Sequence, residues 1–198
     1  MKKVILLGDS IKAWYAPIVK EKLDGKCEVV VFEGENGKFA HNNLRHLMNL
    51  LSTHGKTVDL VHFNSGYWDM AIMPYLNEPM ISLAEYQSAL RKIVKLSRAA
   101  GAKVVFATTT PLPGKEVGPD NTGTGVTFSF EQEMVSDYNR AACDVMAEEN
   151  VPVNDLYAVC KQHERYYKCE DNLHHTPEGN EVLAGHVAAA ILKELGLE

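Results

Sequence analysis

The chain has 198 residues, 45% of them hydrophobic and 23% charged, with a net charge of −6. That length suits one domain with a full hydrophobic core, and the composition is that of an ordinary soluble globular protein. The negative balance leaves no basic footprint for nucleic acid and no apolar run approaches a membrane span, so neither is expected as a partner.

The first apolar run is Val4-Ile5-Leu6-Leu7 after Met1-Lys2-Lys3. It is short and no small-residue cleavage site follows it, so it reads as a first strand rather than a secretory leader. Four further β-rich runs follow at Glu28–Phe32, Val58–Phe63, Lys103–Thr108 and Val151–Asn154. Apolar residues occupy both even and odd positions in these runs, as in parallel strands covered on both faces. Between them lie helical stretches: Ile11–Leu23, in which Pro17 is expected to delay or kink the start; Asn42–Ser52; Ser82–Ala100, with Ser82 as N-cap; Ser129–Glu149; and Pro177–Leu195, with Thr176 as N-cap and Pro177 in the first turn.

Strand and helix alternate through five units, which argues a single three-layer α/β/α domain over residues 1–198. The expected sheet is parallel, with an order such as 2-1-3-4-5. Two long loops, Met70–Ile81 and Thr110–Thr127, leave the carboxyl ends of strands, the edge where open α/β sheets bind ligands.

The four cysteines, Cys27, Cys143, Cys160 and Cys169, include no Cys-x-x-Cys pair. Cys160 and His163 have a Cys-x-x-His spacing, and Cys169 lies five residues before His174, yet the pattern matches no standard zinc site. Free thiols in a reducing, cytoplasmic compartment are expected. The oligomeric state is not readable.

Two motifs at opposite ends carry the chemistry. Gly8-Asp9-Ser10 follows the first strand and opens the first helix, where a serine hydroxyl is exposed and its own N–H faces an incoming anion. Asp171-Asn172-Leu173-His174 precedes the last helix. That spacing can set a carboxylate against one imidazole nitrogen and leave the other free. If the chain brings them together, Ser10, His174 and Asp171 supply nucleophile, base and orienting carboxylate. His175 competes as the base, but at four residues from Asp171 its side chain should point elsewhere. Each motif by itself also reads as a capped turn.

Taken together and in order, these blocks resemble the SGNH/GDSL hydrolases. The matching residues are Gly8-Asp9-Ser10-Ile11 at the start and Asp171-Asn172-Leu173-His174 near the end, with Thr176-Pro177-Glu178-Gly179 extending the second block. The resemblance implies a flavodoxin-like α/β/α fold and no metal or other cofactor. It implies hydrolysis of esters, thioesters or acetylated sugars through an acyl-serine. It places Gly37, with the Ser10 N–H, in an oxyanion hole. The third block departs from the family's Gly-x-Asn-Asp: if Gly66 and Asp69 hold their places in Asn64-Ser65-Gly66-Tyr67-Trp68-Asp69, Trp68 stands where an asparagine belongs. The third donor is then Asn64 or, alternatively, Trp68. Asp9, Trp14, Tyr67 and Trp68 are the expected substrate contacts, with a short-chain ester or acetylated carbohydrate as the small-molecule substrate. Two other readings remain: a non-catalytic binding module on the same fold, and a flavodoxin-like phosphate or nucleotide binder. The second lacks Gly-x-Gly-x-x-Gly and a Walker-type lysine motif.

Overall fold

The computed structural model of the chain describes residues 1–72, 77–112, 117–121, 127–161, 163–167 and 173–197. Five parallel strands form one sheet: β1 (Lys2–Leu7), β2 (Cys27–Val30), β3 (Leu60–Asn64), β4 (Lys103–Ala107) and, after a small hairpin, β7 (Val153–Asn154). Their order is β2-β1-β3-β4-β7, the expected 2-1-3-4-5 once the hairpin is set aside. Val4 sits opposite Leu60 and Leu60 opposite Lys103, so β1, β3 and β4 run in step and end together. Every residue of β3 is buried, which explains a strand with no polar alternation.

The helices are α1 (Ser10–Lys22), α2 (Ala40–His54), the short α3 (Tyr67–Met70), α4 (Leu83–Ala99), α5 (Gln132–Glu148), the short α6 (Leu156–Cys160) and α7 (Pro177–Leu195). α1 packs on α7, while α4 packs on both α2 and α5, which covers the two faces of the sheet. Ser82 and Glu85 form a full capping box at the start of α4, and Thr176 caps α7 with Pro177 in its first turn. Contrary to expectation, Pro17 neither delays nor ends α1. Ala13, whose carbonyl loses its helical partner there, lies on the exposed face with Pro17, so that carbonyl can turn to water.

The helix expected from Ser129 begins only at Gln132. Thr127–Phe130 instead forms β6, antiparallel to β5 (Val117–Asn121). Phe128 and Phe130 both face the core, an alternation of period two that overrides the helical reading. Ser129, between them, exchanges two backbone hydrogen bonds with Ile72, both 3.0 Å. The segment at Ile72 is thereby stitched to the hairpin.

Candidate active site

The carboxyl ends of β1 and β3 deliver Gly8-Asp9-Ser10 and Asn64-Ser65-Gly66 to one edge of the sheet. α1 begins at Ser10 because the Asp9 carboxylate accepts the Ile11 N–H at 2.9 Å, capping the helix. As the first helical residue, Ser10 has an N–H with no carbonyl four residues back inside the helix, and its hydroxyl stands at the helix mouth.

His174 arrives from the far end of the chain. The residue after it, His175, is 1% exposed, pairs across a β-bridge with Tyr167 and packs at a tilt against its ring, centroids 4.7 Å apart. Its Nε2 lies 3.8 Å from the Cys160 thiol, and the Asn180 amide donates to its carbonyl at 3.0 Å. With His175 anchored inward, the neighbouring His174 stays only partly buried. Its Nε2 meets Ser10 Oγ at 2.7 Å, across 164 residues of chain. The tight approach of α7 supports this arrangement: a Cβ on Gly179 would collide with the Tyr166 carbonyl. Asp171, the expected orienting carboxylate, lies outside the described residues, as does Cys169.

The third block is held by polar bonds inside the fold. Asn64 is buried at the end of β3 and lies over the nucleophile turn, so close that a Cβ on Gly8 would strike its Oδ1. Burial pushes the Asp9 carboxyl above the usual carboxylate range, and the neighbouring Asn64 side chain pulls it partly back. The Asn43 amide donates to the Asn64 carbonyl at 3.0 Å. Tyr86 and Thr109 hydroxyls donate to the Ser65 carbonyl at 2.7 and 3.1 Å. Asp69 is buried; its carboxylate accepts the Ala40 N–H at 3.0 Å and the Ser65 hydroxyl at 2.8 Å. Desolvation raises its pKa to about 7, with those two bonds opposing.

Several expected roles change on this geometry. The Gly37 N–H is bonded to the Gly8 carbonyl at 2.7 Å, so Gly37 braces the nucleophile turn in this structure and its N–H is not aimed at an oxyanion. Asp9 is 1% exposed and Tyr67 2%. Asp9 is a helix cap rather than a substrate contact. Tyr67 donates to the Thr110 carbonyl at 2.6 Å and packs edge-on against Phe130, because its ring belongs to the core under the hairpin. Trp68 is half-buried in an aromatic cluster, edge-on to Phe39 at 5.8 Å and to Phe128 at 5.3 Å, with the Lys38 ammonium 5.4 Å over its ring. Trp14 remains at the site: it is 49% exposed and its ring centroid lies 6.1 Å from that of His174.

Sequence reasoning missed the scaffolding residues Asn43, Ser65, Thr109 and Asn139. Asn139, on α5, pairs with the Thr109 backbone through both ends of its amide, at 2.8 Å each. Only a polar residue on an otherwise apolar helix face signalled it. Cys160 faces His175 rather than forming a site with His163, and burial pushes its thiol up to about 12. Among the described residues no three His, Cys, Asp or Glu side chains gather as a metal site, and no helix is long and apolar enough to cross a membrane.

A serine hydroxyl on an imidazole nitrogen at a helix N-terminus can attack an acyl carbon and hold the resulting oxyanion. Known proteins share this sequence pattern and this fold. The sequence profile of the GDSL-like Lipase/Acylhydrolase family matches residues 6–182. The human protein named isoamyl acetate-hydrolyzing esterase 1 homolog is 25% identical over 209 residues, covering 98% of this chain and 82% of that one. Among solved structures, a lipase/acylhydrolase from Enterococcus faecalis superposes with a TM-score of 0.74 at 21% identity, covering 98% of this chain and 97% of that one. A carbohydrate acetylesterase from Sinorhizobium meliloti superposes with a TM-score of 0.75 at 16% identity, covering 98% and 99%.

Proposed function

The chain belongs to the GDSL-like lipase/acylhydrolase family and is on that ground a carboxylic ester hydrolase; we propose that it acts as a serine esterase on short-chain esters, with acetylated carbohydrate as the preferred class. The observation that carries this reading is the 2.7 Å contact between Ser10 Oγ and His174 Nε2.

In the proposed cycle the neutral His174 accepts the Ser10 proton at Nε2 as Oγ attacks the acyl carbon. The alkoxide of the tetrahedral intermediate forms beside the Ser10 N–H at the start of α1. His174 then returns the proton to the leaving alcohol, and water removes the acyl group by the same steps in reverse. Asp171 would hold the proton on His174 Nδ1 and steady the imidazolium. Asn64, buried beside the nucleophile turn with its side chain hydrogen-bonded to Asp9, carries the amide expected of the oxyanion donor, whereas Trp68 packs in its aromatic cluster. The exposed Trp14 ring beside His174 offers a flat apolar surface for a sugar face or a short acyl chain. The carbohydrate assignment draws on the Sinorhizobium meliloti neighbour's named substrate class and on this aromatic wall. The described cysteines Cys27, Cys143 and Cys160 are unpaired, which suits the cytoplasm.

A fluorophosphonate probe tests the reading. Labelling at Ser10, lost in Ser10→Ala, supports it, together with turnover of acetylated sugars over longer-chain esters. A wild-type protein that is inert to the probe and to every ester, yet binds sugar, would establish the non-catalytic alternative.

A further inference from the structure

Lys12 is an unusual lysine. It lies on the first turn of α1, two residues past the nucleophile, and is 5% exposed. Its Cβ packs against Gly8, where an added Cβ on that glycine would collide with it. Among the described residues, its ammonium makes neither a hydrogen bond nor an ion pair; it feels the Asp9 and Glu33 carboxylates and the Lys20 ammonium only from farther off. Burial pulls its pKa below the ordinary lysine value, and the Asp9 and Glu33 carboxylates oppose that shift.

The same residue lines a cavity of about 380 Å³ between α1 and residues 31–36. The cavity walls are mostly apolar, and one is the Phe32 ring, itself stacked on His46 at 3.9 Å. Lys20, Glu33 and Glu35 are the other charged residues of the lining, and all three are exposed. Glu35 is drawn to His46 Nε2 at 3.6 Å. Exposed charges are weakened by water and salt, whereas a buried one acts through low-dielectric walls. Lys12 is the one charged residue of the lining that the fold buries. At one end the lining reaches Asn36, the chain neighbour of Gly37, which is bonded to the nucleophile turn.

We propose that this cavity is a subsite for an anionic group, a carboxylate or a phosphate carried by the substrate, with Lys12 as its cationic partner. The assignment rests on the esterase reading and adds the substrate class: an ester whose body bears an acid. Lys12 then sets specificity while Ser10 and His174 do the chemistry.

The test compares acetylated glucose, acetylated glucuronic acid and acetylated glucose phosphate as substrates, and titrates inorganic phosphate and glucuronate into the wild-type protein by calorimetry. One charge-assisted hydrogen bond corresponds to ~10–100-fold in kcat/KM. An acidic ester should therefore be preferred over the neutral one by that order. The preference ratio should fall ~10-fold or more in Lys12→Met and survive in Lys12→Arg. Whichever of the carboxylate and the phosphate is favoured identifies the group. Equal kcat/KM for all three esters, or a ratio unchanged in a folded Lys12→Met, overturns the proposal. If Lys12→Met does not fold, the wild-type titrations decide: saturable binding of either anion supports the subsite and its absence overturns it. If none of the esters is cleaved, the esterase reading fails, and the same titrations still decide the subsite.

Discussion

Ser10 and His174 meet because each is presented by a neighbour fixed inside the fold: Asp9 caps α1, and His175 is locked between Tyr167 and Cys160. A base at 2.7 Å from the nucleophile is within proton-transfer reach. Ser10→Ala should lower turnover by ~10⁴–10⁶-fold with the circular dichroism spectrum retained, and His174→Ala should lose most of its activity. His175→Ala should instead show first as a lower melting temperature, with the surviving folded protein still active. The reverse ranking of the two histidine variants in kcat would displace His174 as base. The oxyanion donor is a second question at this scale. Asn64 lies on the nucleophile turn, whereas Trp68 packs on Phe39 and Phe128. Asn64→Ala is expected to reduce kcat by ~10²-fold with little change in KM, and Trp68→Phe to have a modest effect. Steady-state kinetics on both variants checks the pair.

The start of α2 shows how an element borrows what its own sequence lacks. Its N-cap position is Phe39, which has no side chain able to accept a hydrogen bond, so the Ala40 N–H is satisfied by Asp69 from the third block. The geometry buries that carboxyl and raises it from 3.8 to about 7. The unfolded chain ionises Asp69 near 3.8, the folded one only near 7. The group's contribution to stability is therefore full below about pH 4 and declines as pH rises to about 7. Asp69→Asn keeps an acceptor for Ala40 and does not titrate. Its stability relative to wild type should improve as pH rises from 4 to 7, by at most ~4 kcal/mol. Urea unfolding at several pH values measures it; a difference independent of pH would show that Asp69 is not held protonated. The hairpin β5–β6 shows the same dependence on surroundings. Thr127–Phe130 forms a strand because Ile72 and the core receive it.

Across the whole molecule, the sheet order brings the ends of β1 and β3 side by side, while the packing of α7 on α1 returns the last block to the first. The central strand β3 carries His62 fully buried, its Nε2 3.3 Å from the Asn154 amide on β7 and its pKa depressed by desolvation from 6.5 to about 3. Here the sign is opposite to that of Asp69. The folded state keeps His62 neutral, so its contribution is present above pH 6.5 and is lost as pH falls toward 3. His62→Leu gives up the Asn154 contact but removes this titration. Its stability relative to wild type should rise as pH is lowered through that window, and an acid-unfolding series compared with wild type reads it directly. An unchanged gap would show that another group drives acid unfolding.

The sequence by itself determined the parts whose causes are local. Short β-rich runs between helical stretches identified β1 and β3; Ser82 and Thr176-Pro177 marked the starts of α4 and α7. The alternation of such units dictated a parallel sheet covered on both faces, and the two end blocks carried the family. What depended on distant neighbours was not legible. The Gly37 N–H turned to Gly8 because the β2–α2 segment folds onto the nucleophile turn. Tyr67 went inside because the β5–β6 hairpin packs on it, and Asp9 because it caps α1, although their residue types suit a cleft equally well. Lys12 reads as an ordinary solvated lysine in the chain; only the packing of residues 31–36 against α1 encloses it. Hydrogen-bond partners and burial are properties of pairs brought together by the fold, and local sequence constrains only one member of each pair.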